Sequence, residues 1–279
     1  TCQDLAESLE QFHATSAATA LATRLAAKIK TATPTLSMLS VRGMMVHSAK
    51  WTPEMIRIGN IKDIIPLCGY GVPDEETALF SNEKYATFIF ENELIPYWEK
   101  DGSNTYNQLH FYDLPWPTEV LEQMGEENVK IRITLSYYVK PSPGYAGRSN
   151  KYRYPSATLH FDLKSASESM EEFLCRRNKS EGEKRTDNDT NRWTIKQQRR
   201  EQGTVQSDWI ECTAAELASC GQIIVYPGQG WWKERKLANV DNVIKYSLIV
   251  SIETTKTEIY DAVETAISNR IGVQIMQEV

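Results

Sequence analysis

The feature that most limits the fold is a change of period near residue 83. Ahead of it, small and bulky apolar residues recur every three to four positions; after it, apolar and polar residues alternate. The first spacing belongs to helices that bury one stripe, the second to strands that bury one face. A helical front followed by a β-rich remainder is therefore expected.

From Ser16 to Lys30, Ala18, Ala22 and Ala26 form a stripe of small side chains beside a bulky stripe of Leu21, Leu25 and Ile29. Arg24, Lys28 and Lys30 gather toward the far end, where cations suit the helix dipole. Pro34 breaks this helix, and Thr35-Leu36-Ser37 opens a second, whose buried side is expected to be Met38, Val41, Met45 and Ala49. Trp51-Thr52-Pro53-Glu54 reads as a stop followed by a capped turn with proline at its first position. Gly69-Tyr70-Gly71-Val72-Pro73-Asp74 is a tight loop leading to a short helix over Asp74 to Phe80.

Beyond residue 83, strands are expected at 85–90, 108–112, 129–139, 159–163, 223–226 and 246–252. In the third of these Val129, Ile131, Ile133 and Leu135 oppose Lys130, Arg132 and Thr134. Short helices are expected at Thr118–Met124, Ser167–Arg177 and Ala214–Ser219. Several alternating strands between turn signals point to an antiparallel sandwich. The division is thus 1–82 and 83–279, with a charged, solvated surface loop near 178–200 in which Trp193 and Ile195 are the only sizeable apolar residues.

Composition narrows the function classes. Hydrophobic residues make up 41% of 279, a globular proportion. Lysine and arginine number 31 against 37 acidic residues, a formal charge of −6, so neither nucleic acid nor an anionic membrane is an expected partner. No apolar run nears the roughly twenty residues that span a bilayer. Cys2, Cys68, Cys175, Cys212 and Cys220 contain no C-x-x-C pair, and the four histidines no H-x-x-x-H. With no dense Asp-x-Asp-x loop either, no metal is assigned. Gly69-x-Gly71 opens no nucleotide-binding helix, and no cofactor is expected. Free cysteines favour a cytoplasmic location. Gly228-Gln229-Gly230-Trp231-Trp232 either exposes two tryptophans to a partner or lays both over an edge of the β region.

The chemistry-bearing stretch is His13-Ala14-Thr15-Ser16-Ala17-Ala18-Thr19-Ala20-Leu21. A hydroxyl at the mouth of a helix sits beside unpaired backbone N–H groups and the positive end of the dipole, ground that suits a serine nucleophile. The alternative is that Thr15 or Ser16 merely caps the helix.

Three elements in order carry a resemblance: Thr15-Ser16-Ala17-Ala18-Thr19-Ala20 before a helix, Val41-Arg42-Gly43-Met44-Met45-Val46-His47-Ser48-Ala49 in the next, and Gly69-Tyr70-Gly71-Val72-Pro73-Asp74 with Ala78-Leu79-Phe80. Together they resemble the end of the subtilisin-like peptidase domain, over roughly the first 80 residues. Val46-His47-Ser48-Ala49-Lys50-Trp51-Thr52-Pro53, Leu114-Pro115-Trp116-Pro117-Thr118-Glu119-Val120-Leu121 and Tyr226-Pro227-Gly228-Gln229-Gly230-Trp231-Trp232-Lys233-Glu234-Arg235 extend the likeness to bacterial subtilases with a long β-rich extension. The fold class it implies is the rear of an α/β subtilisin-like catalytic domain, mainly helical here, followed by the β-rich region.

The resemblance makes Ser16 the catalytic nucleophile of a serine endopeptidase, with its own N–H donating to the oxyanion. Ala14 stands where the family usually has glycine, which implies a backbone angle easy only for glycine, and Ala20 where many members have proline. In the family the Asp, the general-base His and the oxyanion Asn all precede the Ser. They are therefore expected upstream of this chain, which alone should hydrolyse little or nothing; its partners are that upstream part and a protein or peptide substrate. His13 is close enough in sequence to approach Ser16, whereas His47, His110 and His160 are expected to be structural. The competing reading is a non-catalytic protein-binding or assembly module in which Ser16 is only a cap.

Overall fold

The computed structural model describes residues 14–79, 84–114, 116–142, 154–173, 192–234, 241–255, 259, 261 and the backbone of 275–278. The front is helical, as the period requires: α1 (Thr15–Ala32), α2 (Met38–His47), α3 (Pro53–Ile56), α4 (Ile61–Cys68) and α5 (Glu75–Leu79), with the two-residue strands β1 (Ala49–Lys50) and β2 (Val72–Pro73) paired antiparallel among them. Caps define the starts: Ser37 accepts from Ser40 N, Thr52 from Met55 N, and Asp74 Oδ1 from Thr77 N. Gly71, at φ +100°, brings its backbone so near that a Cβ would lie 2.2 Å from the Lys50 carbonyl oxygen, which fixes glycine in the β1–β2 crossing.

The remainder holds β3 (Tyr85–Leu94), β4 (Tyr97–Lys100), β5 (Ser103–Tyr106), β6 (Gln108–Asp113), α6 (Thr118–Met124), β7 (Asn128–Tyr137), β8 (Leu159–Leu163), β9 (Val205–Thr213), β10 (Gln222–Pro227), β11 (Ile244–Thr254) and β12 (Ile275–Glu278). Short helices occupy Gln197–Arg200 and Ala214–Ala218, the latter opened by a capping box between Thr213 and Glu216. Among the described residues the strands make two four-stranded antiparallel sheets, in the orders β3-β11-β7-β9 and β12-β6-β10-β8, with β4–β5 a separate hairpin.

One apolar cluster takes side chains from both large sheets. Ile131, Ile133 and Leu135 of β7 and Leu248, Val250 and Ile252 of β11 meet Phe161 and Leu163 of β8 and Ile223 and Val225 of β10. Each is almost wholly removed from water, worth about 1.5–3 kcal/mol per large aliphatic side chain. The helices lie on the other face of the first sheet, where Leu25, Ile29, Val41, Met44 and Ala78 gather around Ile249 of β11. The architecture is mixed α/β, with helices, a sheet and a second sheet in succession.

Two expectations need correction, and the structure chooses between the two readings of the tryptophan pair. The buried side of α2 is Leu39, Ser40, Val41, Gly43, Met44 and His47, not the stripe through Met38, which is 58% exposed, and Met45, which is only half-buried. The sheet beneath offers hydroxyls, so the helix turns a partly polar face toward it. The end of the charged loop is not solvated: Trp193, Ile195 and Arg200 are 1–3% exposed, because Asp208 collects the Ile195 and Lys196 N–H groups and faces Arg200. Trp232 is core, and Trp231 packs on that core while donating its Nε1–H to the Lys140 carbonyl, so the pair covers an edge. Within 167–177 the described residues show one helical turn, at 170–173; residues 178–191 lie outside the described residues.

Candidate active site

Helix α1 is half attached. Leu25 and Ile29 are buried against α2 and α5, whereas Leu21 is 65% exposed and Thr15, Ser16, Ala18, Thr19 and Ala20 all face solvent. The bulky stripe therefore buries only its C-terminal half. Ser16 lies in the first turn, at the end that projects from the body.

The helix start is unusual in what it leaves open. The capping position is held by Ala14, whose side chain can accept nothing, and the first turn carries no acidic residue. Neither Thr15 nor Ser16 acts as the cap. Thr19 Oγ1 turns back to donate to the Thr15 carbonyl at 2.8 Å, and Thr23 repeats this on Thr19. The N–H groups of the first turn and the positive end of an 18-residue helix thus stand beside the Ser16 hydroxyl. Ala14 has φ −152° and ψ 148°, extended backbone open to any residue, so alanine here carries no strain.

The other hydroxyls and imidazoles are placed quite differently. His47, 1% exposed on the inner face of α2, has Nδ1 2.8 Å from Thr134 Oγ1 and Nε2 2.8 Å from Ser251 Oγ. Thr134 donates to Ser207 Oγ at 2.8 Å, which also accepts from Arg132 Nε at 3.0 Å. This chain of donors assigns the imidazole proton to Nδ1, leaving Nε2 to accept from Ser251. Burial, reinforced by the Arg132 and Lys130 charges, holds the His47 pKa well below its ordinary 6.5. A serine–histidine contact is present, but both residues are sealed between helix and sheet with no carboxylate on the ring.

Two arginines complete that layer. Arg132, its pKa lowered to about 10 by burial, donates Nη1–H to the Ala49 carbonyl at 2.7 Å and Nη2–H to Val46 at 3.0 Å, closing the end of α2. Arg42 donates to the Tyr137 and Thr204 carbonyls at 2.7 and 2.8 Å and lies over the Tyr138 ring. Gly43 lets the backbones approach: a Cβ there would meet Ile249 Cδ1 at 2.7 Å.

Sequence reasoning passed over this layer because it looked for an apolar stripe. Its signal was present: Ser40, Gly43 and His47 lie three and four apart on α2, and Thr134, Ser136, Ser247 and Ser251 occupy the polar alternation of β7 and β11.

The remaining described histidines are also engaged. His110 Nδ1 lies 2.6 Å from the Tyr246 hydroxyl inside the core, and burial lowers its pKa. His160 Nδ1 faces Glu201 Oε1 at 3.3 Å and its Nε2 lies 3.2 Å from Thr158 Oγ1. His13 lies outside the described residues. Among the described residues, no cluster of three histidine, cysteine or acidic side chains is arranged to hold a metal ion. No helix among them is long and apolar enough to cross a membrane. A cavity of about 120 Å³ between α1, α5 and β3 has walls of Ile29, Leu36, Met44, Ala78, Leu79 and Ile89, and Ser16 is not among them.

Residues 2–86 match the model of the subtilase family of peptidases. The match begins ahead of α1, runs through α5 and stops as β3 starts, so the likeness to that family falls on the helical front. Searches of curated proteins and of solved structures returned no match.

Proposed function

We propose that this chain carries the nucleophile-bearing rear of a subtilisin-like serine endopeptidase. Ser16 attacks the scissile carbonyl, an acyl-enzyme forms on its oxygen, and the Ser16 N–H at the helix start donates to the oxyanion. The observation that carries this reading is the coincidence of two facts. The subtilase match covers Ser16, and the Ser16 hydroxyl is exposed at an uncapped helix start where it serves no structural bond.

A serine hydroxyl needs a base, and the described histidines are bound elsewhere. The triad Asp and His and the oxyanion Asn are therefore supplied by sequence upstream of Ser16, packed around the projecting half of α1 where Leu21 stands open. The described residues beyond 83 supply the sheet on which α2 packs, and through α2 they support the nucleophile helix. A protein or peptide is the substrate.

The test is a fluorophosphonate probe on the full-length protein. The label is expected on the peptide containing Ser16 and is expected to vanish in Ser16→Ala. A label that persists in that variant, or maps to another serine, removes Ser16 from the reaction.

A further inference from the structure

The outer edge of β8 is closed by side chains where a neighbouring strand would otherwise lie. Among the described residues strand β8 ends the second sheet, and its Leu159, Phe161 and Leu163 carbonyls point away from β10. Each is met by a different side chain. Gln206 Nε2 donates to Leu159 at 2.8 Å, Arg200 Nη2 to Phe161 at 2.9 Å, and Arg192 Nη2 to Leu163. The Leu163 N–H is taken by Asp162 Oδ1 at 2.9 Å. Three donors at alternate residues match the spacing at which a paired strand would present its N–H groups.

These donors are built in rather than draped over the surface. Gln206 belongs to β9, the edge of the other large sheet, and is fully buried, so its amide spans the seam between the two sheets. The Arg200 guanidinium lies over the Phe161 and Trp193 rings, 4.3 and 4.5 Å from their centroids, and 3.7 Å from Asp208 Oδ2. Lys196, at φ 70°, turns the chain so that its N–H and that of Ile195 reach the same carboxylate.

We infer that residues 192–206 are a strap whose side chains keep β8 from pairing with a further strand, and that weakening it opens this edge to a second copy of the chain. An unpaired edge is a template for addition, and two identical edges related by a two-fold axis satisfy each other antiparallel. The segment 159–163, Leu-His-Phe-Asp-Leu, alternates apolar residues and has little net charge, as such pairing favours. The strap does not depend on the peptidase reading.

The experiment uses Arg192→Met with Gln206→Leu, which leaves the Arg200–Asp208 pair intact. Sedimentation velocity is run over a hundredfold concentration range on this variant and the native chain, after circular dichroism confirms native secondary structure. The variant is expected to associate at least tenfold more tightly than the native chain. Its amides at 159–163 are expected to become protected as it associates, and excess peptide of sequence 158–164 to reverse the effect. A folded variant that sediments as the native chain does overturns the inference, and so does association that leaves those amides and the peptide without effect. If the double variant is insoluble, Gln206→Met alone, of matching size and without donors, is put through the same comparison with the same outcomes.

Discussion

The start of α1 and the contact of α2 with the first sheet are made of the same residue types and do opposite things with them. At α1, a hydroxyl stands exposed at a helix end with no cap and no counter-charge. Under α2, hydroxyls, an imidazole and the Arg132 guanidinium are buried and consume one another's bonds. A polar group whose bonds are all used inside the fold has nothing left to offer a substrate; one left open on a fixed element does. Residue type alone would have favoured His47 and Ser251, the closest serine–histidine contact in the described structure, and burial reverses that choice.

The sharpest way to break the comparison is Ser16→Ala in the full-length protein. Peptide hydrolysis is expected to fall by about 10³-fold or more, while the unfolding free energy stays within about 0.5 kcal/mol of native, since the side chain is exposed and unbonded. Ser251→Ala should do the reverse, lowering stability and leaving hydrolysis near native. Equal loss of activity in both variants would erase the distinction.

Arg132→Met tests how much the buried layer holds. It strips donors from the Ala49 and Val46 carbonyls and from Ser207. A loss of about 3 kcal/mol in urea unfolding is expected, from several buried acceptors left unpaired. A loss below 0.5 kcal/mol would mean that α2 is attached chiefly by its apolar residues.

The imidazole gives a pH signature. His47 is held neutral in the folded state and titrates near 6.5 when unfolded, so below that pH the unfolded chain binds the extra proton. Its contribution is complete above about pH 6.5 and is lost as pH falls toward the depressed folded value, at up to about 1.4 kcal/mol per pH unit. His110, also lowered by burial, adds to the same slope. His47→Gln is expected to flatten stability between pH 6.5 and 5 without abolishing its fall; an unchanged slope would assign the whole effect to His110 and other groups.

The smallest effect is steric. Gly43→Ala pushes a methyl toward Ile249 Cδ1, and about 1 kcal/mol of destabilisation is expected. Adding Ile249→Val should recover part of it. Gly43→Ala with no cost would show that α2 has room to rise from the sheet.

Much of the fold was readable in the chain because its elements obey simple periods. The alternation at 129–135 puts Ile131, Ile133 and Leu135 in the core and Arg132 and Thr134 on the opposite face, as read. Ser37, Pro53 and Asp74 mark helix starts where they were expected. Among the features that escaped are β9, whose Gln206, Ser207 and Asp208 are buried polar residues that disguise a strand, and the true face of α2. In both cases the periodic signal was sought in hydrophobicity and was carried by hydrogen-bonding groups instead. Of the candidate site, the hydroxyl and its helix were legible; the alanine cap's extended backbone and the projection of α1 were not.

By itself the sequence determined the change from helix to strand near residue 83, the core faces of β7 and β11, and the likeness of the front to subtilases, because period and motif are local properties. Only the tertiary structure decided which serine is open and which is spent, that Trp193, Ile195 and Arg200 leave the charged loop for the core, and that β8 is closed by three side chains. Those outcomes depend on which groups meet across long stretches of chain, and a buried polar side chain is stable only where its partner waits.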